Sequence, residues 1–426
     1  MSGGLGNRMF PLTEAHPKCL LPIANRPLLS FQLEILERSG FSEVIVVILQ
    51  SQKDLVSKFV DQYAGQIKVE LVELPVSMGT ADALRQPMLR AKLVTDFFVL
   101  SGDLISNVFL HYLADIHRSR DATVTVLLKR APKVELSVKK KKDDEVVKHY
   151  VGLDEGKNRL LLFRSASDVE EEVIVKKSLL KHHANLVIHT GLVDQHLYLF
   201  SHWILDLLKD KTGISSIQAE LLPYLISNQF TDKGRTFAQS YETKDNTSLT
   251  SRARLMSHGP ARVKSAEAFR CYALIADEPS YGCRANTVKS FTRMNFDMAS
   301  GATFQYTPWR PLKEDNQRDK AVAANPTATI GDKSIVGRNL EAGDGSSVKK
   351  SVVGSNVKIG SGVKISNSII FDNVVIEKDV TITNSIVCRG ATVDAKTVLK
   401  DCQVAAGYSV TGNNEYRNET LVGAGD

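Results

Sequence analysis

The sequence has few cysteines and no long apolar runs. The cysteines lie far apart, at Cys19, Cys271, Cys283, Cys388 and Cys402. No two of them form a CxxC pair, so neither a zinc site nor a disulfide framework is predicted. The longest apolar runs, such as residues 44–49, are far shorter than the roughly 20 residues that span a bilayer. The N-terminus is glycine-rich and does not resemble a secretory signal. We therefore expect no membrane contact and a location in the cytosol, a reducing compartment.

Strong charge of either sign is also missing. The chain has 54 basic and 48 acidic residues, a formal net charge of +6, and no basic face with interleaved aromatic residues. Direct nucleic-acid binding is therefore not predicted. Hydrophobic residues make up 43% and charged residues 24% of the chain, as in globular proteins. A length of 426 residues predicts two or three domains.

An internal repeat dominates the C-terminal part. Aliphatic residues recur there with steps of 6, 6 and 5, so that one turn takes 17 residues. The positions are Val336, Ala342, Val348, Val353, Ile359, Ile365, Ile370, Ile376, Ile382, Val387, Val393, Leu399, Val404 and Val410. Three steps per turn predict a triangular solenoid with these side chains stacked inside. A β-sandwich is the alternative, but it has no reason to keep a three-step period over four turns.

The positions between the aliphatic ones support the solenoid. Gly354 and Gly360 follow inward residues at predicted corners, where a Cβ is hard to accommodate. The outward positions are expected to be polar, as at Ser355, Lys358, Lys364, Asn367 and Lys378. The pattern resembles the left-handed parallel β-helix of hexapeptide repeats. Some proteins of that class are acyltransferases with a catalytic histidine on a coil, but no histidine follows His258 here.

The N-terminal part predicts an α/β domain. Strands are expected at residues 44–49, 69–74, 97–100 and 122–128. Helices are expected from Pro27 to Gly40, and from Thr80 to about Ala91. This alternation predicts βαβ units and a doubly wound sheet. A further strand is predicted around residues 270–275, after a polar insert at about 231–264.

Three motifs fall where ligands gather, beyond the carboxyl ends of such strands. The first is a glycine-rich loop, in which glycines allow close approach of a phosphate and two cations can meet its charge. Its residues are Gly3, Gly4, Gly6, Arg8 and Lys18. The second is the turn Gly79-Thr80-Ala81, and the third is Asp103, a carboxylate that could bind Mg²⁺. The alternative interpretation is that the glycines and Thr80 only make turns and that Asp103 caps a loop.

Together these motifs resemble the sugar-nucleotide pyrophosphorylase family, which has a Rossmann-like nucleotidyltransferase domain. The resemblance implies that the glycine loop, Arg8 and Lys18 hold a nucleotide, that residues 79–81 face its base, and that Asp103 binds magnesium. The ligand would be a nucleotide or sugar nucleotide with Mg²⁺. Several family features are missing: residues 161–168 lack the Glu-Lys-Pro triplet, residues 189–194 replace Asn-Ala-Gly-Ile-Tyr, and Asn7 replaces a threonine. No second metal carboxylate can be assigned, so turnover and a required cofactor are not expected.

With these departures, the sequence resembles the gamma-subunit family of eukaryotic translation initiation factor 2B. The resemblance covers nearly the whole chain except the polar insert. The stretches that carry it most clearly lie at residues 36–41, 77–82, 100–105, 189–198 and 214–225. The resemblance implies a non-catalytic subunit of a guanine-nucleotide exchange complex. Its partners would be the epsilon subunit and the other subunits, with initiation factor 2 as the substrate of the complex. An active sugar-1-phosphate nucleotidyltransferase is the alternative, and a scaffold with an empty pocket is a third hypothesis.

The expected domains are a nucleotidyltransferase-like domain at 1–297, a linker at 298–326, a β-helix at 327–412 and a tail at 413–426. The family begins with an apolar strand before the glycine loop, whereas this chain begins inside the loop. We therefore expect an N-terminally short gene model. The chain ends at Asp426 without the helical domain that epsilon subunits add, which favours gamma over epsilon.

Overall fold

The computed structural model describes an α/β domain followed by a triangular β-solenoid. It covers residues 1, 6–131, 149–154, 156, 158–166, 175, 179–180, 183, 185–231, 234, 269–276, 280–301 and 316–423. The predicted polar insert lies almost entirely outside these residues.

The α/β domain contains the five predicted strands, with ends that agree to within two residues, and further strands that were not predicted. They are β1 (Pro22–Ile23), β2 (Arg26–Pro27), β3 (Glu43–Leu49), β4 (Lys68–Leu74), β5 (Phe97–Leu100), β6 (Leu104–Ser106), β7 (Val124–Arg130), β8 (His149–Asp154), β9 (Arg159–Ser165), β10 (Leu186–His189), β11 (Leu192–Phe200), β12 (Cys271–Ala276) and β13 (Gly282–Arg284). A seven-stranded sheet has the order β10-β8-β9-β12-β7-β11-β5, and β3 and β4 form a parallel pair. The large sheet is mixed, because β7 pairs parallel with β12 and antiparallel with β11. The expectation of parallel βαβ units alone was therefore too simple.

Helices connect the strands of the α/β domain, and the last helix packs on the solenoid. They are α1 (Leu28–Arg38), α2 (Lys53–Gln62), α3 (Thr80–Arg85), α4 (Pro87–Arg90), α5 (Leu110–Ser119), α6 (Ile204–Asp210), α7 (Leu222–Ser227), α8 (Val288–Ala299) and α9 (Arg318–Ala324). The single helix predicted from Thr80 to about Ala91 was wrong, because it breaks at Gln86, whose ψ is 132°. Pro87 follows, and proline disfavours helical backbone in the residue before it. Among the described residues, no helix combines the length and the apolar character needed to cross a membrane.

The solenoid has three parallel sheets, one for each side of the triangle. The first contains β14 (Thr329–Ile330), β17 (Ser347–Lys349), β20 (Lys364–Ser366), β23 (Thr381–Thr383), β26 (Val398–Lys400) and β29 (Glu415–Arg417). The second contains β15 (Ile335–Val336), β18 (Val352–Val353), β21 (Ile369–Ile370), β24 (Ile386–Val387), β27 (Gln403–Val404) and β30 (Thr420–Leu421). The third contains β16 (Glu341–Ala342), β19 (Lys358–Ile359), β22 (Val375–Ile376), β25 (Thr392–Val393) and β28 (Ser409–Val410).

The pairing register confirms the predicted period. Val353 pairs with Ile370, and Ile370 pairs with Val387, each 17 residues further on. These side chains are at most 1% exposed. A Cβ on Gly354 would lie 2.5 Å from the Asp372 carboxylate, which confirms the crowding predicted at that corner. The strands continue to Leu421, beyond the predicted boundary at residue 412. In the predicted linker, α9 packs through Ala321 on the first turn of the solenoid.

One side of the solenoid is apolar on its outer surface, where only polar residues were expected. Its outward column packs in one cluster with α8 of the α/β domain. The column consists of Ile335, Val352, Ile369 and Ile386, each at most 4% exposed. Phe291 of α8 meets Phe371 edge-on, with ring centroids 6.1 Å apart. The prediction that outward positions are polar was wrong on this side because it did not include a second domain.

A short hairpin ties the two domains together. Ala24 and Asn25 connect β1 to β2 with φ values of 51° and 66°, as in a two-residue turn of type I′. The Ala24 N–H donates to Asn295 Oδ1 of α8 at 2.9 Å, and Asn25 Nδ2 donates to the Val353 carbonyl of the solenoid at 2.9 Å. The segment between Lys18 and α1 is thus held against both domains.

Candidate functional site

A cavity of about 190 Å³ opens beside the carboxyl ends of β3, β4 and β5. Val47 and Leu74 form part of its apolar wall. Four of the predicted site residues line it: Lys18, Gly79, Thr80 and Asp103. The cavity therefore lies where ligands bind in α/β sheets.

Asp103 is held by two cations. The carboxylate is only 3% exposed. It accepts hydrogen bonds from Lys18 Nζ at 2.6 Å, from Arg284 Nε at 2.9 Å and from Arg284 Nη2 at 3.1 Å. The Ser101 hydroxyl donates a further bond at 2.7 Å. Burial by itself would raise the pKa of this carboxyl, but the charges of Arg284 and Lys18 outweigh it and hold the pKa well below its usual range.

Arg284 was not predicted, and no motif in the sequence marks it. It ends β13, which pairs antiparallel with β6 so that Arg284 stands opposite Leu104. The N–H of Ala285 donates to the Asp103 carbonyl at 2.9 Å, which fixes the two backbones side by side. This strand pairing places the guanidinium on a carboxylate 181 residues earlier in the chain.

The residues around Asp103 do not fit a magnesium ion. Oδ1 already accepts from Ser101 and Arg284, and Oδ2 accepts from Lys18 and Arg284. The neighbouring carboxylate of Asp194 is 2% exposed, and it accepts from the Tyr198 hydroxyl at 2.5 Å. Across the described ranges, no group of three or more His, Cys, Asp or Glu residues could hold a metal ion. In this geometry the Asp103 carboxylate forms ion pairs with Lys18 and Arg284.

The Gly79-Thr80-Ala81 segment is packed against another part of the chain. The Ala81 N–H donates to the Ser215 carbonyl at 2.8 Å, and Thr80 Oγ1 accepts from the Ile217 N–H at 2.9 Å. Ala81 is fully buried and does not line the cavity. Residues 215–217 thus hydrogen-bond with Thr80 and Ala81, two of the three residues that were expected to face a base.

The structure separates the members of the predicted glycine loop. Gly6 has a φ of 71°, and a Cβ there would lie 2.9 Å from Thr13 Cγ2, so the position needs glycine. Arg8 is exposed and is not a lining residue of the cavity. Gly3 and Gly4 lie outside the described residues. Lys18, Gly79, Thr80 and Asp103 are therefore brought together, whereas Arg8 and Ala81 are not.

Replacing Gly79 by alanine is expected to destabilise the α/β domain by about 1–3 kcal/mol, because the new Cβ forces the packed backbone apart. That Cβ would lie 2.2 Å from the Ser215 carbonyl oxygen. Gly213→Ala is the control, since a Cβ there has nothing within 4 Å, and we expect a change below about 1 kcal/mol. Urea unfolding followed by circular dichroism measures both. Equal losses would contradict the close packing at Gly79.

Family profiles match both domains. The nucleotidyl transferase family matches residues 1–136. The LbH domain of EIF2B subunit epsilon, a left-handed β-helix, matches residues 313–415.

Two eIF2B gamma subunits match over longer stretches than either profile. The translation initiation factor eIF2B subunit gamma of Dictyostelium discoideum is 33% identical over 80% of this chain and 83% of its own length. The corresponding subunit of Schizosaccharomyces pombe is 31% identical over 81% of this chain and 71% of its own length. A mannose-1-phosphate guanyltransferase of Candida albicans is 32% identical, but over only 29% of this chain and 35% of its own length.

Proposed function

Since this chain belongs to the family of eIF2B gamma subunits and has a role in the eIF2B complex, we propose that it promotes GDP/GTP exchange on initiation factor 2 there by pairing with the epsilon subunit. We also propose that it transfers no nucleotide itself, needs no cofactor and acts in the cytosol. The observation that carries the absence of transfer is the ion pair of Asp103 with Lys18 and Arg284.

The physical argument concerns the positioning of substrates. A nucleotidyltransferase gains most of its rate by holding two substrates and a metal ion in one arrangement. Here the carboxylate expected to bind the metal already accepts four hydrogen bonds, and the backbone of residues 215–217 hydrogen-bonds with the Ala81 N–H and with Thr80 Oγ1. Both features oppose turnover and leave the fold available for subunit contacts.

A second candidate function is an active sugar-1-phosphate nucleotidyltransferase. The nucleotidyltransferase domain is present, and its profile covers residues 1–136. Lys18 also remains beside the cavity, with its side chain 20% exposed. An active transferase must release pyrophosphate when a sugar 1-phosphate is added. The assembly role predicts no such release.

The experiment is co-expression of this chain with and without the epsilon subunit, followed by measurement of GDP release from initiation factor 2. We expect a stable pair that releases GDP faster than epsilon alone, and no pyrophosphate release with GTP and mannose 1-phosphate. Absence of pairing with epsilon would contradict the assembly role. Pyrophosphate release that is lost in Lys18→Ala would contradict the non-catalytic role and support the second candidate.

A further inference from the structure

We propose that Arg284 takes the place of a divalent cation at Asp103 and thereby closes the cavity to complexes of Mg²⁺ with a nucleoside triphosphate. Arg284 would then be a specificity-determining residue of this pocket, supplied by the chain itself. The inference uses the same cavity as the proposed function, but it concerns what the cavity excludes.

The contact between Arg284 and Asp103 is the first support. Nε meets Oδ1 at 2.9 Å and Nη2 meets Oδ2 at 3.1 Å, so the guanidinium covers one edge of the carboxylate with two parallel hydrogen bonds. Such a fork is among the strongest contacts that a carboxylate makes. Mg²⁺ needs carboxylate oxygens at about 2.0–2.1 Å in octahedral geometry. A metal ion on that edge would have to displace the guanidinium.

Lys18 and Ser101 also block access of a metal ion to the Asp103 carboxylate. Lys18 Nζ lies 2.6 Å from Oδ2, and the Ser101 hydroxyl lies 2.7 Å from Oδ1. Each oxygen therefore accepts two hydrogen bonds from side chains of the protein. A carboxylate that is 3% exposed and bonded in this way has little capacity left for an ion.

The charge balance is the second support. Burial alone would lower the pKa of the Arg284 guanidinium, but the carboxylate of Asp103 and, less strongly, that of Asp194 raise it. The two cations, Lys18 and Arg284, are thus matched by two buried carboxylates, Asp103 and Asp194. These four side chains have a formal charge of zero. A dication would add two positive charges to a buried cluster that is already balanced.

The position of Arg284 is set by backbone contacts between two strands. The antiparallel pairing of β13 with β6 aligns Arg284 with Leu104, next to Asp103. The bond from the Ala285 N–H to the Asp103 carbonyl, 2.9 Å long, locks this register. With the backbone held in this way, removal of the guanidinium from the carboxylate would require a change of the Arg284 side-chain rotamer.

The test measures Mn²⁺ binding by electron paramagnetic resonance, with Mn²⁺ as the probe for Mg²⁺. The full chain is used, with and without GTP. We expect that the wild type does not bind Mn²⁺ through Asp103, so that Asp103→Asn leaves its Mn²⁺ binding unchanged. In Arg284→Gln one edge of the carboxylate is uncovered, and we expect Mn²⁺ to bind at least about tenfold more tightly than in the wild type. Arg284→Lys keeps the positive charge but not the two parallel hydrogen bonds, and it is the charge control: we expect its Mn²⁺ binding to be weaker than that of Arg284→Gln.

Two results would overturn the proposal. One is wild-type Mn²⁺ binding that falls about tenfold in Asp103→Asn. The other is equal binding by the wild type and a folded Arg284→Gln variant. If that variant does not fold, anomalous scattering from Mn²⁺-soaked crystals of the wild type decides: a peak bonded to Asp103 would refute the proposal, and no peak there would support it. GDP release with epsilon tests the assembly role separately, so either idea can fail alone.

Discussion

Replacing Asp103 by asparagine lowers the free energy of unfolding of the α/β domain by about 3 kcal/mol at pH 7, because two cations lose their shared partner. The side chains of Lys18 and Arg284 are 20% and 19% exposed, so water compensates only part of the loss. Urea unfolding followed by circular dichroism measures the change. Asp82→Asn is the control. Asp82 is 30% exposed, and its partner Arg85 keeps its hydrogen bonds to the carbonyls of Leu208, Lys211 and Ile214, so we expect a loss below about 1 kcal/mol.

The effect of this substitution depends on pH in a defined direction. The pKa of Asp103 in the folded protein lies below its usual value, so its stabilising contribution is complete above the unfolded pKa of about 3.9. It is lost progressively as the pH falls further toward the folded pKa. The stability difference between the wild type and Asp103→Asn should therefore shrink below about pH 4. A difference that stays constant from neutral to acidic pH would contradict an ionised Asp103.

Replacing Ile369 by alanine is expected to lower the stability by about 3 kcal/mol, because it leaves a cavity between the solenoid and α8. Ile369 points outward, yet it is only 1% exposed and belongs to the cluster that contains Phe291 and Met294 of α8. The midpoint and slope of urea unfolding measure the effect.

Val375→Ala is the matched control for Ile369→Ala. Both residues open a two-residue strand of the solenoid and point outward, but Val375 is 38% exposed on another side of the triangle. We expect the control to change the stability by no more than about 0.5 kcal/mol. Similar small losses in both variants would show that the apolar column does not pack on the α/β domain.

The solenoid could be predicted from the sequence because its rule is local and repeated. Each turn places one aliphatic residue per side, so the period alone identifies inward positions such as Ile370 and Val387. The same argument missed the outward column at Val352, Ile369 and Ile386. Each of those residues directly precedes an inward aliphatic residue, and this pairing is visible in the sequence. An outward aliphatic residue is buried only when a second domain covers that side of the solenoid.

The candidate site could be predicted only in part. The residues at 79–80 and Asp103 follow β4 and β5, and strands of this type are recognisable from their apolar runs. Which residue contacts Asp103 is a different question. Strand periodicity says nothing about pairing partners, so neither the mixed order of the large sheet nor the pairing of β13 with β6 could be inferred.

The sequence by itself determined the two domains, the solenoid and the carboxylate at the end of β5, since each depends on short-range patterns of side chains. Only the tertiary structure decided the state of that carboxylate. Arg284 reaches Asp103 across 181 residues through a strand pairing that no local pattern encodes. A charge buried beside the cavity needs a partner, and the folded chain supplies Arg284 and Lys18 in that role.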